Sequence, residues 1–119
     1  MNHKDFGNHG EELAVAHLID QGYDIIQVNY RIRTGEVDIV AKDGEYLCFV
    51  EVKTRHNDEF GSPFEAITPS KQRRIIKLAK LYLMENKLTD ISIRFDVIGI
   101  MVEFEDKAKI ELIKDAFWA

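Results

Sequence analysis

Gly35-Glu36-Val37-Asp38-Ile39-Val40-Ala41-Lys42-Asp43-Gly44-Glu45-Tyr46-Leu47-Cys48-Phe49-Val50-Glu51-Val52-Lys53 reads as two strands joined by a tight turn. Asp43-Gly44 is a pair favoured in two-residue hairpin loops, because glycine accepts the positive φ that such a turn requires. With those two residues as the loop, opposed residues carry numbers that sum to 87. Glu36 then faces Glu51, Asp38 faces Phe49 and Val40 faces Leu47, and the side chains of each pair share one side of the sheet. Period two adds Lys53 to that side and leaves Val37, Ile39, Ala41, Cys48, Val50 and Val52 on the other, apolar throughout and therefore core. Three carboxylates and one ammonium converge on a single face.

Folding alone does not favour that convergence. Like charges directly opposite in a sheet destabilise it, and carboxylates beside Val40, Leu47 and Phe49 lose part of their hydration. Two readings stay open at this point. A divalent cation would reverse the sign of the problem, since Mg²⁺ accepts hard oxygen ligands while keeping several waters. Alternatively, Lys53, Arg31 or Arg33 neutralises the acids in an ion-paired network. Lys53 adds a role that a metal does not replace: its ammonium can hold an attacking water or stabilise the charge of a phosphorane-like transition state. Two acids and a lysine suggest phosphodiester hydrolysis, in which bound Mg²⁺ lowers the pKa of a water and screens the scissile phosphate.

Around this hairpin the chain reads as one α/β unit over residues 1–119. Gly7 to Gln21 forms a helix with Glu11, Ala14, Val15, Leu18 and Ile19 on one side and Gly22 as its stop. Tyr23 to Asn29 is a strand, and Tyr30 to Thr34 a cationic connection. His56 to Ile67 is a long loop. Thr68 caps and Pro69 starts a second helix, with Ile75, Leu78, Ala79, Tyr82 and Leu83 in one buried stripe. Ile91 to Met101 is a fourth strand and Lys109 to Ile113 a weaker fifth, with the acidic turn Glu103 to Asp106 between them. Phe117 and Trp118 are expected to pack. The expectation is a single domain with a central mixed sheet flanked by helices.

Composition bounds the rest. A chain of 119 residues with 45% hydrophobic and 31% charged residues can bury a core without disulfide or structural metal. Cys48 has no partner for a bridge. No apolar run approaches the ~20 residues of a membrane span and no secretory signal precedes the first helix, so a cytoplasmic protein with no membrane partner is expected. Sixteen basic against 21 acidic residues give a net charge of −5, which excludes a uniformly basic nucleic-acid coat. Between Lys53 and Lys80, however, seven cations meet three anions, so this sector is +4 and the remainder −9. Such a dipolar body can orient an approaching polyanion.

Asp38, twelve residues, then Glu51-Val52-Lys53 resembles the PD-(D/E)XK signature of the restriction-endonuclease-like superfamily. Its company makes the likeness specific: Gly7 to Glu11 with Ala14 and Leu18, Gly35 to Val40, Phe49 to Arg55, Phe60-Gly61, Ser70-Lys71-Gln72 and Arg94-Phe95-Asp96-Val97. In that order, over nearly the whole chain, these segments resemble the YraN family of bacterial proteins. That family is grouped with archaeal Holliday-junction resolvases, small dimeric nucleases. The resemblance implies a restriction-endonuclease-like fold, Asp38 and Glu51 as Mg²⁺ (or Mn²⁺) ligands with the Val52 carbonyl, and Lys53 in catalysis. It also implies that Glu11 completes the metal shell, that the partner is structured or branched DNA, and that a homodimer forms. Val37 stands where the superfamily name has proline, a position commonly substituted. Glu36, Arg94 and Asp96 belong to the YraN pattern without an assigned role.

Lys71, Arg73, Arg74 and Lys77 occupy the first turns of the second helix, where cations oppose the macrodipole. Phosphate contact explains that placement better than solvation, with Lys71 nearest the site by resemblance. Arg55, two residues beyond Lys53, reaches either a phosphate or a salt bridge. His3, His9, His17 and His56 lack ligand spacing, and no phosphate-loop motif is present, which argues against zinc and nucleotide-cofactor chemistry. Three functions follow: a Mg²⁺-dependent nuclease for structured or branched DNA, a non-catalytic nucleic-acid-binding protein on the same fold, and a purely structural pairing of charges.

Overall fold

Thr68 has extended dihedrals (φ −64°, ψ 159°) and its Oγ1 accepts a hydrogen bond from the Lys71 N–H at 3.2 Å, so the second helix starts where the Thr-Pro pair predicts. The computed structural model describes residues 3–56, 63–103 and 107–119, with side chains from residue 9 onward. Phe60-Gly61 and most of the acidic turn at 103–106 lie outside the described residues. Five strands, β1 (Asp24–Ile32), β2 (Gly35–Asp43), β3 (Tyr46–His56), β4 (Ser92–Val102) and β5 (Ala108–Phe117), form one sheet in sequence order. Only β3 and β4 run parallel. Parallel neighbours need a crossover, and the 3-10 turn Pro63–Ala66 with helix α2 (Pro69–Glu85) supplies it. Helix α1 (His3–Asp20) covers the opposite face. This is the mixed α/β sheet that the sequence predicts, consistent with a restriction-endonuclease-like fold.

Two cores result, one under each helix. Tyr30, Val37, Val40, Leu47, Phe49, Phe95 and Val97 meet Ile75, Leu78, Ala79 and Tyr82 of α2, while Ile39, Ala41, Cys48, Val50, Ile98 and Ile100 meet Ala14 and Leu18 of α1. No helix among the described residues is long and apolar enough to cross a membrane.

The hairpin register differs from expectation by two residues. Asp43 pairs with Tyr46 and Val40 with Phe49, so opposed numbers sum to 89, and the loop is Gly44-Glu45. Gly44 takes the first central position with φ +60°. Asp43 stays in the strand, where its carboxylate serves Arg94 and Lys114. A shift of two preserves sidedness but changes partners: Glu36 no longer faces Glu51, and Asp38 comes beside it instead.

Other departures are local. Asn29 has φ +58°, a conformation asparagine tolerates, and it reverses the alternation of β1: Val28 faces α1 while Tyr30 faces α2. Val37, paired with Tyr30, accordingly belongs to the α2 core rather than to the side of Ile39. The cationic connection is mostly strand, since Arg31 and Ile32 pair with Glu36 and Gly35. Ile19 is 57% exposed instead of buried on α1. Phe117 packs as expected, stacked on Phe95 at 4.9 Å, but Trp118 is 73% exposed, its indole N–H donating to Asp115.

Candidate active site

Strands β2 and β3 part company after the pair Ile39–Val50. Where the ladder stops, Asp38 Oδ2 accepts a hydrogen bond from the Val52 N–H at 2.8 Å, so a side chain replaces the missing main-chain partner and is fixed at the fork. Glu51, opposite, lies within hydrogen-bonding reach of Asp38. Burial, then the Asp38 hydrogen bond and charge, push the Glu51 carboxyl well above its ordinary range, and Lys53 offsets only part of this. The two acids and Lys53 line one pocket of about 350 Å³ with Glu36, Lys71 and Arg74, closed from below by Ile67 and Ile75. Glu36, Asp38, Glu51 and Lys53 thus share one pocket, as their common parity predicts, although the register differs by two residues.

Charges in this pocket are poorly matched. Arg31, a neutralising cation in the ion-paired reading, is engaged by Glu36 at 2.9 Å, and among the described residues no salt bridge reaches Asp38 or Glu51. Burial and then the neighbouring Lys71 charge lower the Lys53 ammonium below its ordinary value. Acids crowd acids and lysines crowd lysines within one cleft. A divalent cation would relieve the first crowding and a phosphate the second.

The donor set fits a hard cation. Among the described residues no three His, Cys, Asp or Glu side chains group closely enough to hold a metal ion. Asp38 and Glu51, with the Val52 carbonyl, would be the residues to hold Mg²⁺, which accepts a few hard oxygen ligands and keeps several waters. Glu11 stands apart, in a cleft between α1 and β1, where Asn29 Nδ2 donates to its carboxylate at 3.2 Å. Burial raises the Glu11 carboxyl, with Asp38 and Glu36 adding to the rise, so it senses the site electrostatically. Arg55 lines a second cleft on the other side of Lys53, and Lys77 is exposed on α2 outside the pocket lining. Sequence reasoning missed Asn29, because Val28-Asn29-Tyr30 alternates regularly in sequence and only the positive φ at Asn29 breaks that alternation in the structure.

Arg94 and Asp96 belong elsewhere, at the hairpin end of the sheet. Asp96 is fully buried and accepts from Arg94 Nε at 2.9 Å, Arg94 Nη2 at 3.0 Å, Tyr23 Oη at 2.8 Å and the Asp115 N–H at 2.9 Å. Arg94 Nη2 also donates to Asp43 at 2.7 Å, which holds the Asp43 carboxyl below its ordinary range. Asp96 and Asp43 in turn raise Arg94 further, and burial followed by the Asp96 charge pushes the Cys48 thiol up to about 12, so it is inert. These two residues are structural.

A family model described as "Uncharacterised protein family UPF0102" matches residues 10–100, which include Glu11, Asp38, Glu51, Lys53 and the Arg94–Asp96 pair. A UPF0102 protein of Clostridium kluyveri is 43% identical over 115 residues, covering 96% of this chain and 94% of the relative. Those of Syntrophus aciditrophicus and Rhodococcus opacus are 47% and 48% identical, each over 93% of this chain and over 87% and 94% of their own lengths.

Proposed function

The chain belongs to the uncharacterised protein family UPF0102, and on that footing we propose that it is a metal-dependent nuclease hydrolysing phosphodiester bonds in structured or branched DNA. One observation carries this reading: two crowded carboxylates, Asp38 and Glu51, share a pocket with two crowded lysines, Lys53 and Lys71. Cation and phosphate are complementary to that pattern, and a phosphodiester bound through a metal brings both. Asp38, Glu51 and the Val52 carbonyl would hold Mg²⁺ or Mn²⁺, which when bound supplies a water of lowered pKa and screens the phosphate.

The chain's own residues do the remainder. Asp38 is held by the Val52 N–H, so it meets its ligand without reorganising. Lys53 contacts the phosphoryl oxygens, whose negative charge grows as the water oxygen bonds to phosphorus and the ester oxygen departs with a proton. Lys71 and Arg74 hold the neighbouring phosphates from the start of α2. The test offers single strands, duplexes, flaps and four-way junctions to the purified protein with Mg²⁺ or Mn²⁺. Cleavage of branched substrates is expected, with Asp38→Ala slower by a factor of about 100 or more. Absence of cleavage on every substrate, or equal cleavage by Asp38→Ala, removes the reading. That no three acidic side chains among the described residues group closely enough to hold a metal favours one second reading, a nucleic-acid-binding protein without turnover; Asp38→Ala would then leave salt-sensitive DNA affinity intact.

A further inference from the structure

Lys53 lines two cavities, the acidic pocket and a cleft of about 310 Å³ that continues from it across β3, β4 and β5. The register explains how the cleft is built. Lys53, Gly99 and Glu111 lie in one row across the three strands, and Arg55, Met101 and Lys109 lie in the next row of that same face. Pro63 closes one side, seated directly on Gly99; any Cβ there would collide with the proline ring. The surface is therefore apolar at Pro63 and Met101 and mainly cationic at its edges. Lys109 also pairs with Glu103 at 3.3 Å, an exposed contact that water or a ligand readily exchanges.

We propose that this cleft receives one unpaired nucleotide next to the scissile phosphate, so that the substrate is DNA with an extrahelical or single-stranded nucleotide at the cleavage point. The inference rests on the nuclease reading for the position of that phosphate at Lys53. A base within a duplex stack cannot enter a cleft walled by Pro63, whereas a splayed base can lay its face on the proline ring and the Met101 thioether. Arg55 and Lys109 then flank the backbone of the same strand, and Glu111 offers an acceptor to an exocyclic amino group. An acidic peptide would satisfy the cations but gains nothing from the apolar floor and meets Glu111.

The experiment uses the full chain in EDTA, where no cleavage can occur. Duplexes carrying one extrahelical 2-aminopurine, and matched duplexes with the same base paired, are titrated by fluorescence anisotropy. Binding about tenfold tighter to the extrahelical form is expected, as base stacking contributes in single-strand sites. Met101→Trp, which fills the floor, and Lys109→Glu, at a 77% exposed side chain, should each bring the ratio of the two affinities towards one. An unchanged thermal midpoint shows that the fold is retained, and Lys109→Glu keeps the test decisive if Met101→Trp does not fold. Equal binding of both DNAs by the wild type, or an undiminished ratio in Lys109→Glu, overturns the proposal. So does displacement of the extrahelical DNA by a poly-glutamate peptide as readily as by unlabelled DNA. Failure of cleavage with Mg²⁺, alongside these binding results, would count against the nuclease reading alone.

Discussion

Acids cluster at both ends of the sheet, and the two clusters are built in opposite ways. At the hairpin end, Asp43 and Asp96 receive Arg94, Lys114, the Tyr23 hydroxyl and a backbone N–H. At the fork, Asp38 and Glu51 receive one backbone N–H and each other. Both clusters interrupt apolar strands, so both cost desolvation; only the first recovers it inside the protein. A chain able to satisfy Asp96 completely has the means to satisfy Glu51 and does not. The unmet interactions at the fork are available to a ligand.

Breaking each cluster should therefore give contrasting results. Arg94→Ala leaves a buried Asp96 carboxylate without its cation, and a loss of about 3–5 kcal/mol is expected in urea unfolding. Asp38→Ala removes one hydrogen bond to Val52 but also relieves Glu51, so its cost should stay below about 1.5 kcal/mol. Comparable losses in the two variants would abolish the distinction between a structural and a functional cluster.

Acidity sharpens the same contrast, because the two ends tilt in opposite directions. Glu51 has its carboxyl raised above the ordinary 4.5, so over the interval between those values the folded chain keeps a proton that the unfolded chain has lost. Metal-free stability should fall as pH rises above about 4.5 through that interval. Asp43, lowered beneath its ordinary 3.8, contributes fully above that value and loses its contribution as pH falls through the folded value. Glu51→Gln should then be more stable than wild type by about 1 kcal/mol at pH near 8 in EDTA, and equal to it near pH 4. Added Mg²⁺ should close the gap by stabilising the wild type alone. A Glu51→Gln protein that is less stable at high pH would show that the carboxylate is already satisfied.

What the sequence made legible follows from how local each signal is. The start of α2 is written in Thr68-Pro69 and its buried stripe in a simple spacing, so both were placed correctly. Sidedness in the hairpin depends only on parity, which held through a register error of two except at Val37; the error arose because Asp43-Gly44 and Gly44-Glu45 are both plausible loops for one glycine. The Arg94 network was illegible because its members, Tyr23, Asp43 and Asp96, are brought together only by tertiary structure, with Tyr23 and Asp96 separated by 73 positions. Asn29 and Glu11 illustrate a third case: a positive φ rotates one strand and re-aims its neighbours, which period-two reasoning cannot see.

Lys71 offers the finest test of the contrast, since its two expected effects have opposite sign. It stands in the first turn of α2, where a cation opposes the helix dipole, and close enough to lower Lys53. Its backbone N–H, not its side chain, makes the Thr68 cap, so Lys71→Ala keeps the helix start intact. Removing the ammonium should stabilise the protein by a few tenths of a kcal/mol, about 0.3, in thermal unfolding. In the same variant the slope of log affinity for DNA against log salt should shrink by about 0.9, the loss of one phosphate contact. A destabilised Lys71→Ala protein with an unchanged salt slope would place this lysine with Arg94, among the residues that hold the fold.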